Sequence, residues 1–106
     1  MTIQLHNILT EFKEALSHRY GDRIGALVCY GSQARGEAGP DSDIDLVLVL
    51  NEPVQPSKEI DRLIDILADF NLRYGVLISL LPVSQDTWET GEGPFWRNVR
   101  REGRAI

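Results

Sequence analysis

The chain has 106 residues, 42% of them apolar, and its 11 Lys and Arg stand against 16 Asp and Glu for a formal charge of −5. This excludes a disordered tail, a fibre and two independent cores, and predicts one domain over residues 1–106, small enough that a partner chain or an oligomer would add useful burial. The acidic balance argues against free-standing nucleic-acid binding, which draws on Lys and Arg at phosphates, and the only lysines are Lys13 and Lys58.

Residues 4–20 place Leu5, Ile8, Leu9, Phe12, Ala15 and Leu16 on one helical face, which predicts an amphipathic first helix with His6 and His18 exposed beside the apolar stripe. The first residues, Met1 to His6, lack the basic region and apolar run of a signal peptide. After the break at Tyr20-Gly21-Asp22-Arg23, the apolar run Ile24–Tyr30 is bounded by turn residues and predicts a buried strand. It is far too short to span a bilayer. Cys29, the single cysteine, lies inside this run and reads as an inert core thiol, because nothing basic adjoins it. With no partner for a disulfide and no zinc-finger spacing, the expectation is a soluble protein of a reducing cytoplasm.

A loop from Gln33 to Ser42, rich in Gly, Pro and charge, leads to a second strand, Asp43–Leu50. Asn51 to Ser57 then forms a loop, and the spacing of Ile60, Leu63, Ile64, Leu67 and Phe70 predicts a second long helix from Lys58 to Tyr74, capped by Ser57 and stopped by Gly75. Val76 to Pro82 predicts a third strand, Ser84-Gln85-Asp86 opens a short helix carrying Trp88, and Phe95 to Glu102 reads as a last helix started by Pro94 and stopped by Gly103. Trp88, Phe95 and Trp96 read equally as core or as interface anchors. The four arginines between Arg97 and Arg104 read as a solvated helix face, with an acidic partner surface or a partner's RNA as the sharper alternative.

One place is composed for reaction rather than packing: Gly31-Ser32-Gln33-Ala34-Arg35-Gly36, followed by Ser42-Asp43-Ile44-Asp45-Leu46. Two apart on a strand, Asp43 and Asp45 leave one face roughly 6 to 7 Å from each other while Ile44 and Leu46 enter the core. Two such anions repel unless a cation sits between them, and hard carboxylate oxygens suit Mg²⁺ or Mn²⁺. A strand ending in Gly31-Ser32 offers backbone N–H groups and a hydroxyl to phosphate oxygens, the more so if a helical turn begins at Gln33 or Ala34. The loop is no Walker motif, because Glu37 and Ala38 stand where Lys and Ser or Thr are required. Arg35 reads either as a phosphate contact or as a salt bridge to Asp41, Asp43 or Asp45, and Ser42 as a turn hydroxyl.

Gly-Ser, ten intervening residues and then Asp-x-Asp, in the frame Gly-Ser-x-Ala-Arg-Gly-x5-Ser-Asp-Ile-Asp-Leu, resembles the minimal nucleotidyltransferases of the DNA polymerase β-like superfamily. The resemblance spans nearly the whole chain and implies an α/β (α+β) fold, a small mixed sheet with helices mainly on one face. It further implies that Asp43 and Asp45 hold Mg²⁺ or Mn²⁺, that Gly31 and Ser32 bind the phosphates of an NTP such as ATP, and that Asp43, Asp45 and Ser32 form the catalytic set with Arg35 as an added phosphate contact. Such domains are commonly encoded beside a HEPN-domain ribonuclease toxin, which they neutralise as antitoxins by transferring AMP onto a tyrosine. Family members usually carry a third carboxylate on the strand after the second long helix, and here that strand offers Ser79. Three readings stay open: Asp86 or Glu89 substitutes, a partner supplies the acid, or transfer is slow or absent. In the last case the chain neutralises its partner by binding alone or senses NTP without transfer.

Overall fold

The computed structural model describes residues 2–36 and 43–106. Alternation along one central strand divides its interior. Helix α1, Ile3–Tyr20, starts at Thr2, whose hydroxyl accepts from the Leu5 amide at 3.1 Å. A 3-10 turn at Gly21–Arg23 leads into strand β1, Ile24–Tyr30, and a five-residue helix α2, Gly31–Arg35, follows directly. Strand β2, Ile44–Leu50, precedes helix α3, Pro56–Tyr74, which Gly75 ends in the left-handed region at φ 66°. Strand β3, Ile78–Ser84, runs into the short helix α4, Gln85–Thr90, and then come helix α5, Pro94–Glu102, and a two-residue strand β4, Arg104–Ala105.

The sheet order is β3-β2-β1-β4, with β1 antiparallel to both β2 and β4 and β2 parallel to β3. Ile44, Leu46, Leu48 and Leu50 project from β2 into a core shared with Leu9, Phe12 and Leu16 of α1 and Leu63 and Phe70 of α3. Phe12 and Phe70 meet edge to face, with ring centroids 5.1 Å apart. Val47 and Val49 point the other way and join Val28, Val83 and Val99 in a second cluster, against which Trp88 and Trp96 pack. The two long helices therefore cover one face, and the shorter α4 and α5 complete the other.

Several boundaries differ from the sequence expectation. The cap of α3 is Gln55 with Pro56 in the first turn, so Ser57 is already helical; the proline's fixed φ suits that position and its missing N–H costs nothing there. Helix α2 begins at Gly31 rather than at Gln33 or Ala34. Strand β3 starts two residues late, leaving Leu77 57% exposed, and carries Pro82 opposite Leu48. An edge strand tolerates this, because the absent N–H belongs on its outer side. The arginine run is not simply a solvated face: Arg100 donates to the carbonyls of Trp88 at 2.8 Å, Glu89 at 3.3 Å and Gly91, satisfying the groups that the end of α4 leaves over. Of the aromatics held between core and interface, Trp88 and Trp96 are half-buried in the second cluster and Phe95 is 43% exposed. His6 and His18 are exposed, as expected. No described helix is long and apolar enough to cross a membrane.

One charge is sealed beside the main core. Glu59 is only 5% exposed, accepts from the Tyr20 hydroxyl and pairs with Arg62 at 3.2 Å. Burial first, and the Glu59 contact second, push the Tyr20 phenol above its usual range. Removing that hydroxyl leaves a buried carboxylate one donor short, a loss of about 1–3 kcal/mol. Tyr20→Phe is therefore expected to lower unfolding free energy by this amount in urea titrations, and Arg62→Ala, which removes a more exposed partner, by less.

Candidate functional site

The site forms where β1 ends and β2 begins. Tyr30 is paired across the antiparallel ladder with Asp45, so the turn at Gly31 falls directly against that aspartate. Gly31 adopts φ 73°, and a β-carbon placed there would lie 2.7 Å from Asp45 Oδ2. Two requirements thus select glycine, a backbone conformation that disfavours side chains and a space already filled by carboxylate oxygen. Ser32 follows, half-buried, in the first turn of α2.

Asp45 shares its face of β2 with Val47 and Val49, while Ile44 and Leu46 are buried in the opposite core, as the alternation predicts. Asp43 precedes the strand and is exposed. Burial first, and the neighbouring Asp43 charge second, hold the Asp45 carboxyl above the usual aspartate range. No hydrogen bond or ion pair reaches it from the described residues. A half-buried carboxylate beside a like charge and without a donor suits a bound cation, and two hard oxygen donors fit Mg²⁺ or Mn²⁺ by their chemistry. Among the described residues no cluster of three or more His, Cys, Asp or Glu side chains is present to complete such a site.

On the other side of β2, the parallel register sets Ser79 opposite Asp45. The strand position next to the aspartate thus carries a hydroxyl, 79 being an exposed residue. Asp86 and Glu89 come from an element that starts at the other end of β2. They belong to α4, which follows Ser84, and Ser84 is opposite Leu50, about 17 Å along the strand from Asp45. Glu89 also accepts from Gln85 at 2.9 Å, and Gln85 stands against Gly25 at that same distal end.

Arg35 donates to Glu102 of α5 at 3.4 Å, a partner the sequence reading did not consider. Asp41 and Ser42 lie outside the described residues. Cys29 is fully buried, and burial pushes its thiol up to about 11, in keeping with an inert residue. Sequence reasoning missed a cleft of about 140 Å³ between α2 and α5, into which Tyr30, Phe95 and Asn98 face. The i, i+3, i+7 spacing of Phe95, Asn98 and Glu102 was the available signal for one face of α5.

The raised Asp45 carboxyl makes a stability prediction. In the interval above the ordinary aspartate value the folded chain holds more protons than the unfolded one, so stability falls as pH rises through it. Asp45→Asn, which keeps the shape without the charge, should melt higher than wild type at neutral pH in metal-free buffer. The difference should close as the pH is lowered into the ordinary aspartate range; equal melting temperatures at neutral pH would contradict the burial argument.

Comparison with known proteins identifies the family and the fold. The profile of the family described as nucleotidyltransferase domain matches residues 9–99. A Methanocaldococcus jannaschii chain named as a candidate protein adenylyltransferase is 33% identical over 99 residues, covering 92% of this chain and 93% of that one. A second such chain from the same organism is 40% identical over 78 residues, 71% of this chain and 52% of its own length. Among solved structures, a candidate nucleotidyltransferase from Sulfolobus solfataricus superposes with a TM-score of 0.65 at 14% identity, covering 97% of this chain and 79% of that one. A toxin–antitoxin structure with AMP-PNP superposes with a TM-score of 0.61, also at 14% identity, covering 90% and 69%. With a family profile spanning most of its length and a relative matched nearly end to end, the chain belongs to the nucleotidyltransferase domain family.

Proposed function

We propose that the chain transfers AMP from ATP to a protein hydroxyl in a Mg²⁺-dependent reaction, and that its acceptor is a tyrosine of a HEPN-type toxin for which it acts as antitoxin. The observation that carries the nucleotide half of this reading is the close approach of Gly31 to the carboxylate of Asp45, the second aspartate of the motif. The acceptor half is supported by the relatives named as candidate protein adenylyltransferases and by the fold shared with a chain of a toxin–antitoxin structure with AMP-PNP.

In this reading the Gly31 and Ser32 amides and the Ser32 hydroxyl hold the triphosphate, and Asp43 and Asp45 hold the metal. The metal, when bound, offsets phosphate charge and polarises the phosphoryl oxygens. The acceptor oxygen attacks the α-phosphorus, the bond to pyrophosphate breaks, and the hydroxyl proton leaves to solvent or a base. The aspartates fix the site's charge and the Gly-Ser turn fixes the orientation of the phosphates. Arg35 stands beside this turn, tied to α5 through Glu102.

A second reading is favoured by Ser79. A hydroxyl in register with Asp45 neither adds charge nor takes a proton at neutral pH, so the chain neutralises its partner by binding, with little transfer. Two experiments separate the readings. Purified protein, incubated with α-labelled ATP, Mg²⁺ and a co-encoded HEPN protein, should label that protein, and Asp43→Asn with Asp45→Asn should abolish the label; neutralisation that survives the double substitution without labelling selects the binding reading. Ser79→Asp restores a third carboxylate next to Asp45 and is expected to raise the transfer rate about 10²- to 10⁴-fold, the range for a positioned base. An unchanged rate would mean that the base comes from the partner or is not needed.

A further inference from the structure

The cleft between α2 and α5 is unused by the site as described so far. Gly31, the residue that meets Asp45, also lines this cleft, so the cleft opens directly off the phosphate turn. Its apolar part is Tyr30, Phe95 and the buried Val99; its polar part is Asn98 and the Arg35–Glu102 pair. Phe95 is 43% exposed and meets Tyr30 edge to face, with centroids 5.6 Å apart, so its ring is held in place while still reachable. Arg101 donates to the side-chain Oδ1 of Asn98 at 2.9 Å, which leaves the Asn98 NH₂ as the donor available to a ligand. Glu102 is paired with both Arg35 and Arg101 at 3.4 Å, so the charges at the cleft rim offset one another, and the rings of Tyr30 and Phe95 with Val99 offer an apolar surface to a flat, uncharged group.

We propose that this cleft seats the nucleobase of the bound nucleotide, with Phe95 stacked on the base and the Asn98 amide donating to a ring nitrogen or carbonyl. The proposal rests on the nucleotide-binding reading above and assigns that site its specificity residues. Base-on-aromatic stacking is sequence-tolerant, because every base has a π-face, and an amide donor one helical turn away adds selection for an acceptor edge.

Calorimetry with Mg·ATP and with Mg·tripolyphosphate, on wild type, Phe95→Leu, Phe95→Trp and Asn98→Ala, tests it. Wild type is expected to bind ATP more tightly than tripolyphosphate. Phe95→Leu should weaken ATP about tenfold or more and leave tripolyphosphate unchanged, Phe95→Trp should retain ATP affinity, and Asn98→Ala should lose affinity for ATP alone. Unchanged tripolyphosphate binding also reports that each variant is folded. Equal affinity of wild type for the two ligands, or Phe95→Leu binding ATP as wild type does, overturns the proposal. Unaltered ATP binding with lost protein labelling also overturns it and makes the cleft an acceptor seat. Failure of wild type to bind either ligand removes the nucleotide-binding reading, and this proposal with it.

Discussion

The contact between the Gly31 turn and the Asp45 carboxylate is the constraint around which the site is arranged. It exists because β1 and β2 pair antiparallel in a register that sets Tyr30 against Asp45. A slip of one residue would turn Asp45 into the core and Leu46 into the site, at a cost set by burying an unpartnered charge. The register is secured by four β2 side chains, Ile44, Leu46, Leu48 and Leu50, that have nowhere to go but the cavity under α1 and α3. The main core thus positions the chemistry without contributing a polar atom to it.

Burial and charge pull against each other at Asp45. Its carboxylate is partly removed from water, stands beside Asp43 and meets no donor among the described residues. Elsewhere the fold avoids such a situation: the buried Glu59 is given both a tyrosine hydroxyl and an arginine. The more deeply buried acid is thus the one given partners, and the half-buried one is left without. Glu59 is thereby built into the fold, whereas the Asp45 carboxylate keeps its acceptor capacity unused among the described residues.

Much of this was legible in the sequence because period and spacing survive folding. The 3, 4, 7 stripe from Leu5 to Leu16 became the buried side of α1, the run Ile24–Tyr30 became β1 without adjustment, and the Gly-Ser to Asp-x-Asp interval brought its two halves together in space. What was not legible depends on partners distant in the chain. Nothing local reveals that Arg104 and Ala105 add a strand beside β1, since two residues carry no period. Leu77 has strand composition, but β2 uses only its carbonyl, as acceptor for the Ile44 amide at 2.9 Å. Arg100 looked like surface charge because the carbonyls it satisfies lie 9 to 12 residues earlier. Asp86 and Glu89 were open by composition as substitutes for a third acid, and what sequence alone does not give is the strand direction that starts their helix at the Leu50 end of β2.

The two layers on the sheet are fastened unequally. Helices α1 and α3 sink nine residues between them into the interior, whereas α4 sinks none and α5 only Val99. The second layer is instead held by ring edges, by the Arg100 clasp on the end of α4 and by the Arg35–Glu102 pair. Such fastenings are replaceable piecemeal, so the carboxy-terminal third can drift in sequence, and take up new recognition tasks, while the foundation beneath it stays unchanged.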